Sequence, residues 1–136
     1  MIPEATIQKL LEAAEVAGMP EGLQSLTDGV WSLQVSSFAF PAAIDTALVW
    51  DAIAVPLLLE HLRRWLEKRN VFVGAYETSV GVVTYVAEQL HPEGRIRMRD
   101  GRFDIENLSG TLDKFSHYED CIAAAVLAMK DNTDAS

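Results

Sequence analysis

The middle of the chain, from residue 71 to residue 106, is dense in β-branched and aromatic residues and lies between segments with helical spacing. Such residues favour strands, and apolar residues three and four positions apart favour helices. Consecutive strands between helices are typical of an α+β fold. We therefore expect a four-stranded antiparallel sheet, made of two hairpins, packed against three helices. The hairpins are predicted at 71–86 and 95–106, and the helices at 4–17, 42–69 and 117–130.

The length of the chain indicates one domain. A protein of 136 residues can bury a sufficient hydrophobic core without disulfides or metals. Apolar residues make up 49% of the chain, which is ordinary for a globular protein. We expect a single α+β domain over 1–136, in which the polar residues 131–136 are a frayed tail.

The longest helical pattern covers residues 42–69. Its apolar stripe consists of Ile44, Leu48, Ala52, Val55, Leu59, Leu62 and Leu66. This spacing is typical of an amphipathic helix. Pro56 interrupts the pattern, because proline lacks an N–H and its ring clashes with the preceding turn. We expect a kink near 52–55, or two helices that meet there.

Two shorter segments differ in how clearly they can be interpreted. Residues 4–17 have helical spacing, and Gly18 and Pro20 end the pattern. Residues 21–41 fit either a strand at 30–35, where apolar and polar residues alternate, or one face of a helix. Asp28-Gly29 is typical of a turn.

A two-residue turn at Thr78-Ser79 would place three aromatic residues on one face of the first hairpin. These residues are Phe72, Tyr76 and Tyr85. The opposite face would then hold mainly valines, so both faces would be apolar. We expect this hairpin to lie inside the sheet rather than at its edge.

Asp100-Gly101 predicts a tight turn in the second hairpin. The expected cross-strand pairs are Arg99 with Arg102, Met98 with Phe103, Arg97 with Asp104, Ile96 with Ile105, and Arg95 with Glu106. One face of this hairpin is apolar and the other is charged. We therefore expect one face to pack and the other to contact water.

The chain is acidic, with 20 Asp and Glu against 11 Lys and Arg, for a formal charge of −9. This charge opposes binding to nucleic acids and to anionic membranes, and it permits a basic partner. The N-terminal residues lack the pattern of a signal peptide, and no apolar stretch reaches the length of about 20 residues that a membrane span needs. We expect a cytoplasmic protein.

Residues that could carry chemistry are sparse. His117 and Cys121 lie four apart on a predicted helix, a spacing that permits a Cys–His pair. A buried, unreactive thiol is the alternative that we favour, because Cys121 adjoins the apolar stripe of that helix. The sequence has no metal-binding motif and no phosphate-binding loop. We therefore expect no catalytic residue, no cofactor and no metal.

The predicted second hairpin carries a stripe of basic residues. They are Arg95, Arg97, Arg99 and Arg102. Together with basic residues of the long helix they could bind an anion. Alternatively, neighbouring acidic residues neutralise them, and we favour this alternative because such ion-pair ladders are common at surfaces.

The candidate interaction surface consists of five aromatic residues: Phe72, Tyr76, Tyr85, Trp50 and Trp65. Exposed aromatic residues on a sheet can stack nucleic-acid bases. No basic, glycine-containing strand of the RNA-binding type accompanies them here. They are therefore interpreted as core or as a contact surface between two proteins, including two copies of this chain.

Residues 42–130 resemble a known family. The resemblance rests on Ile44-Asp45-Thr46-Ala47-Leu48-Val49-Trp50, at the start of a helix, and on Cys121-Ile122-Ala123-Ala124-Ala125-Val126-Leu127-Ala128-Met129. Both segments are similar to the phage α/β/α-sandwich family, small proteins of tailed phages and prophages. The resemblance implies a phage-related accessory protein of unknown role and transfers no functional residues.

These observations predict a small, acidic, non-enzymatic interaction or accessory protein that binds another protein, including itself as a homodimer. One alternative is an acidic inhibitor or immunity-type protein that blocks a basic partner, as the net charge of −9 permits. A second alternative is an enzyme centred on His117 and Cys121.

Overall fold

The computed structural model describes residues 2–18, 23–27, 30–35, 38–43, 55–103 and 111–134. Within these residues the helices are α1 (Glu4–Ala17), α2 (Val55–Glu67) and α3 (Tyr118–Asp134). The strands are β1 (Leu23–Thr27), β2 (Val30–Val35), β3 (Phe38–Ala43), β4 (Val71–Glu77), β5 (Val83–His91) and β6 (Gly94–Arg97). The predicted α+β class is confirmed.

The described strands form two antiparallel sheets of three strands each, in the orders β1-β2-β3 and β4-β5-β6. Three strands of the predicted four-stranded sheet are described as β4-β5-β6, residues 104–106 of the predicted fourth strand lie outside the described residues, and the β1-β2-β3 sheet was not predicted. α2 and α3 pack against one face of the β4-β5-β6 sheet, which we call its inner face, and α1 packs against these two helices. The opposite face is called the outer face.

The strand predicted at 30–35 is confirmed as β2, and the helical alternative is wrong. Its neighbours β1 and β3 were not predicted. Pro41 lies in β3, which is an end strand of its sheet, where a residue without an N–H can be accommodated. The predicted turn at Asp28-Gly29 lies outside the described residues.

The helix predicted over 42–69 is confirmed over Val55–Glu67, which is α2, while residues 44–54 lie outside the described residues. Residues 42 and 43 belong to β3. The predicted kink lies almost wholly in 44–54, outside the described residues. Pro56 is the second described residue of α2.

The two terminal helices largely follow their sequence patterns. α1 spans the predicted residues 4–17, and Gly18 ends it with a φ of 88° while its N–H donates to Ala14 O. Glycine adopts this backbone conformation without the steric cost that a Cβ imposes. α3 continues to Asp134, so the helix extends into the predicted tail.

The predicted register of the first hairpin is wrong by three residues. Gly81, not Thr78-Ser79, decides the turn: it has a φ of 83°, and its N–H donates to Thr78 O at 2.9 Å. A three-residue loop that ends in such a glycine is a common hairpin connection. Tyr85 consequently pairs with Ala75 rather than with Phe72. Since the shift is an odd number of residues, every β5 side chain lies on the face opposite to the predicted one.

The same pairing corrects the predicted place of the hairpin in the sheet. β5 is the central strand, but β4 is an end strand of the described sheet. β5 also continues beyond the predicted strand to His91 and pairs with β6. The connection Pro92-Glu93-Gly94 has proline and glycine at the positions that a type I turn favours, a signal that was present in the sequence.

The Asp100-Gly101 turn is confirmed. Both residues have positive φ values, 53° and 73°, and Arg99 and Arg102 exchange two backbone hydrogen bonds across the turn. Asp113 holds the turn, because its carboxylate accepts the N–H groups of Asp100 at 3.1 Å and Gly101 at 2.8 Å. The predicted pairs that involve residues 104–106 lie outside the described residues.

The core lies between the inner face and the helices. Its largest fully buried side chains are Ile7, Leu10, Leu58, Leu62, Leu66, Met98, Ile122, Val55 and Val71. α1 and α3 are joined by a hydrogen bond as well, since Thr6 Oγ1 donates to Asp120 Oδ1 at 3.0 Å. The buried apolar residues of all three helices belong to this one core.

Replacing Leu62 by alanine should lower the free energy of unfolding by about 2–5 kcal/mol, because a fully buried side chain leaves a cavity. Leu57 is a matched control on the same helix, since it is 38% exposed, and Leu57→Ala should lower stability by about 1 kcal/mol or less. Urea denaturation followed by circular dichroism measures both values. Equal losses in the two variants would contradict this assignment of the core.

Candidate interaction surface on the outer sheet face

The outer face of the β4-β5-β6 sheet carries three large apolar side chains that remain in contact with solvent. Phe72 is 42% exposed, Tyr76 is 40% exposed and Leu90 is 46% exposed. They are brought together because alternate residues of a strand share a face and Phe72 pairs with Glu88, two residues before Leu90. Beside them is a hollow of about 350 Å³, lined by Phe72, Gly74, Tyr76, Glu88, Leu90 and Arg95.

The carboxylate of Glu88 is the polar centre of this face. Its side chain is only 7% exposed, whereas the side chains of Arg95 and Arg97 are 61% and 45% exposed. Arg95 Nε lies 3.2 Å from Glu88 Oε2, and Arg97 Nε lies 3.7 Å from Oε1. A carboxylate removed from water needs such partners, because an isolated buried charge is strongly unfavourable.

The two oxygens of Glu88 are not satisfied equally. The Tyr76 hydroxyl donates a hydrogen bond to Oε1. Oε2 has Arg95 as its ion-pair partner, but it is buried and receives no hydrogen bond of good geometry. Arg95 therefore provides the compensating charge for this buried oxygen.

Gly74 allows the Tyr76 ring to reach Glu88. A Cβ atom at position 74 would lie 3.1 Å from Cε2 of that ring, closer than nearly all real contacts of this kind. Any larger residue at position 74 would displace the ring. The glycine thus permits the ring to lie along the strand, where its hydroxyl meets the carboxylate.

The hydrogen bond to Glu88 raises the pKa of the Tyr76 phenol above 10.0, and burial and the negative charge of Glu88 act in the same direction. Arg97 and Arg95 lower it by a smaller amount. The sign follows from the donor role of the phenol, because the ionised oxygen could not donate and would face a carboxylate.

The structure separates the residues of the predicted aromatic surface. Phe72 and Tyr76 lie on the outer face. Tyr85 lies on the inner face, with its ring 5.8 Å from the ring of Tyr118 in an edge-to-face arrangement. Trp65 packs against the core, with the Arg69 guanidinium 3.7 Å from its ring centre. Trp50 lies outside the described residues.

Sequence reasoning missed Glu88 and Leu90, because the predicted strand ended at residue 86. The available signal was the alternation that continues through Val86-Ala87-Glu88-Gln89-Leu90. A charged residue in such a run is expected either to face water or to find a partner. Only the pairing of β5 with β4 and β6 shows that Glu88 is buried beside the Tyr76 hydroxyl and the two arginines.

Two arginines of the basic stripe share one acidic partner that was not predicted. Arg95 and Arg97 contact Glu88, while Asp104 and Glu106 lie outside the described residues. On α2, Arg63 contacts Glu67 at 2.6 Å and Arg64 contacts Glu60 at 2.8 Å. These pairs are exposed, so each contributes little to stability.

The Cys121 thiol is fully buried, as expected from its place beside the apolar stripe. Burial raises its pKa from 9.0 to about 12, and the charge of Asp113 adds to this effect. A thiol with so high a pKa has almost no thiolate at neutral pH, and the thiolate is the reactive form.

Comparisons with protein-family models, with curated proteins and with solved structures found no match. Among the described helices, none is both long and apolar enough to cross a membrane. Within the same residues, no group of three His, Cys, Asp or Glu side chains is arranged to hold a metal ion.

Replacing Glu88 by glutamine should lower the pKa of Tyr76 towards 10.0, because the negative charge beside the phenol is removed. The measurement is the ultraviolet absorbance of tyrosinate as pH rises, taken as the difference between variant and unmodified protein. Glu77→Gln on the same strand is the control and should leave the curve unchanged. Identical curves for both variants would show that Glu88 does not control this phenol.

The Cys121 thiol should not react with iodoacetamide at neutral pH in the folded protein and should react fully in urea. Mass spectrometry of the alkylated chain measures the extent of reaction. Rapid modification without denaturant would mean that the thiol is accessible, and it would revive the enzyme alternative.

Proposed function

We propose that this protein is a non-enzymatic interaction protein and that the outer face of the β4-β5-β6 sheet binds a protein partner. The observation that carries the proposal is the exposure of Phe72, Tyr76 and Leu90 around one hollow. Clustered apolar side chains rimmed by polar groups are typical of protein-binding surfaces.

The polar groups of this face support the same proposal. Glu88 fixes the Tyr76 ring and the two arginines in place, so little side-chain freedom remains to be lost on binding. The apolar side chains provide the binding energy, and the exposed parts of Arg95 and Arg97 provide polar contacts at the rim. A segment of a partner with an apolar side chain next to a hydrogen-bond acceptor would match this surface.

The inhibitor alternative rests on the formal charge of −9. The outer face does not favour it, because Arg95 and Arg97 expose positive charge there. The enzyme alternative is weakened by the burial of Cys121. The proposed phage or prophage origin and cytoplasmic location rest on sequence alone. A phage operon around the gene would support them, and a neighbouring toxin gene would favour an immunity-type protein.

Peptides selected from a random display library on the immobilised protein should bind at the outer face. Leu90→Ser should then weaken their affinity about tenfold or more, because burying a leucine side chain contributes about 1.5–3 kcal/mol. Val80→Ser is the matched control, since Val80 is exposed at the hairpin tip and does not line the hollow. Fluorescence anisotropy measures each Kd.

Two results would contradict the proposal. The first is a selection that yields no peptide with measurable affinity. The second is a set of peptides whose affinity is the same for the unmodified protein and for Leu90→Ser.

A further inference from the structure

The free edge of β4 can be assigned from the hydrogen bonds on the far side of β5. Tyr85 uses both of its backbone groups on Phe115, with N···O distances of 2.7 and 3.0 Å. Its partner on β4 is Ala75. Antiparallel pairs alternate between bonded and non-bonded, so the N–H and C=O of Ala75 point away from β5. By the same alternation, the backbone N–H and C=O groups of Val71, Val73 and Glu77 also point away from β5.

In the part of the chain that the structure describes, the edge of β4 lacks the usual protection. β4 is seven residues long and contains no proline and no lysine, the residues with which natural proteins commonly block an edge strand. Among the described residues, no strand pairs with it. An edge of this kind can accept a further strand.

The residues of β4 are arranged symmetrically about Gly74. Phe72 and Tyr76 are the aromatic residues two positions away on the outer face, and Val73 and Ala75 are its immediate neighbours. An antiparallel strand with the same sequence therefore matches this edge, which is the condition for a two-fold symmetric interface.

We propose that a second copy of the chain pairs its β4 with this edge, antiparallel, and that Gly74 lies on the two-fold axis. This pairing goes beyond the proposed function, because it uses the edge of β4 and leaves Leu90 and the hollow of the outer face uncovered. The β4-β5-β6 sheets of the two copies then join into one six-stranded sheet. The hollow of each copy lies on its own side of the two-fold axis.

The charges at the ends of β4 favour this orientation. Lys68 and Arg69 precede the strand, and Glu77 ends it. In the antiparallel pair, Glu77 of one copy lies opposite Val71 of the other, three residues from Lys68. Each end of the antiparallel interface thus holds Glu77 of one copy and Lys68 of the other, whereas a parallel pair would place like charges at the same end.

This register also determines which side chains meet. Val73 lies opposite Ala75 of the second copy and exchanges backbone hydrogen bonds with it. Phe72 lies opposite Tyr76 of the second copy in a non-bonded pair, where side chains are closest. Aromatic pairs across strands stabilise a sheet, and the two glycines at the axis leave room for both pairs.

The oligomeric state tests the proposal directly. Light scattering after size-exclusion chromatography should show a dimer for the unmodified protein at micromolar concentration. Ala75→Pro should be monomeric, because it removes an N–H that points to the free edge and breaks no bond to β5. Ala75→Ser keeps that N–H and should remain dimeric. Circular dichroism checks that each variant is folded.

Cysteine crosslinking tests the register and does not depend on the proline variant. In the proposed pair the Cα atoms of positions 72 and 76 of opposite copies are about 4.5 Å apart, within the range of a disulfide. Within one chain these positions are about 13 Å apart. The Phe72→Cys/Tyr76→Cys double variant should therefore form a covalent dimer on oxidation, and each single variant should not.

The outcomes separate the two proposals. A monomer at all concentrations overturns the β4 pairing but leaves the outer face as a binding site, which the peptide selection tests on its own. A dimer that persists in folded Ala75→Pro, or one that is crosslinked equally well by a single variant, also overturns the pairing. If Ala75→Pro does not fold, the crosslinking result decides.

Discussion

The pairing of β4 with β5 is the constraint on which both faces of the sheet depend. It places Val71 opposite Gln89 and Val73 opposite Ala87, and it directs these residues towards the helices. Because side chains alternate along a strand, the same register leaves Phe72, Tyr76 and Glu88 on the outer face. A register shifted by an odd number of residues would move the β5 side chains of the inner face to the outer face, and those of the outer face to the inner face.

The outer face combines one desolvated charge with exposed apolar groups. Glu88 is buried, yet it is approached by Arg95, Arg97 and the Tyr76 hydroxyl. Removing any one of these partners would leave the buried carboxylate poorly compensated. The free energy lost in this way exceeds the net contribution of the intact hydrogen bond to stability. The cluster therefore acts to order the side chains around the hollow, and the apolar groups determine what can bind there.

Residue patterns predicted the elements whose structure is set locally. The helix at 4–17, the strand at 30–35 and the Asp100-Gly101 turn were all correct, because helical spacing, alternation and a tight turn are properties of neighbouring residues. Patterns failed where two local signals competed. Thr78-Ser79 looked like a turn, but Gly81 can adopt the positive φ that the hairpin needs.

The residues of the candidate interaction surface were also predicted only in part. Phe72 and Tyr76 were identified from their residue types, and both lie on the outer face. Tyr85 was assigned to the same face and lies on the other, because an error of three residues in the register inverts the strand. Glu88 could not be identified as a paired, buried carboxylate, since its partners come from two other strands.

The sequence by itself determined the α+β class, the acidic charge and most local elements, because these depend on composition and on residues close together in the chain. Only the tertiary structure decided which strand is central, which edge is free and which side chains share the outer face. These properties depend on hydrogen bonds between distant segments, and a shift of a few residues in one loop is enough to change all of them.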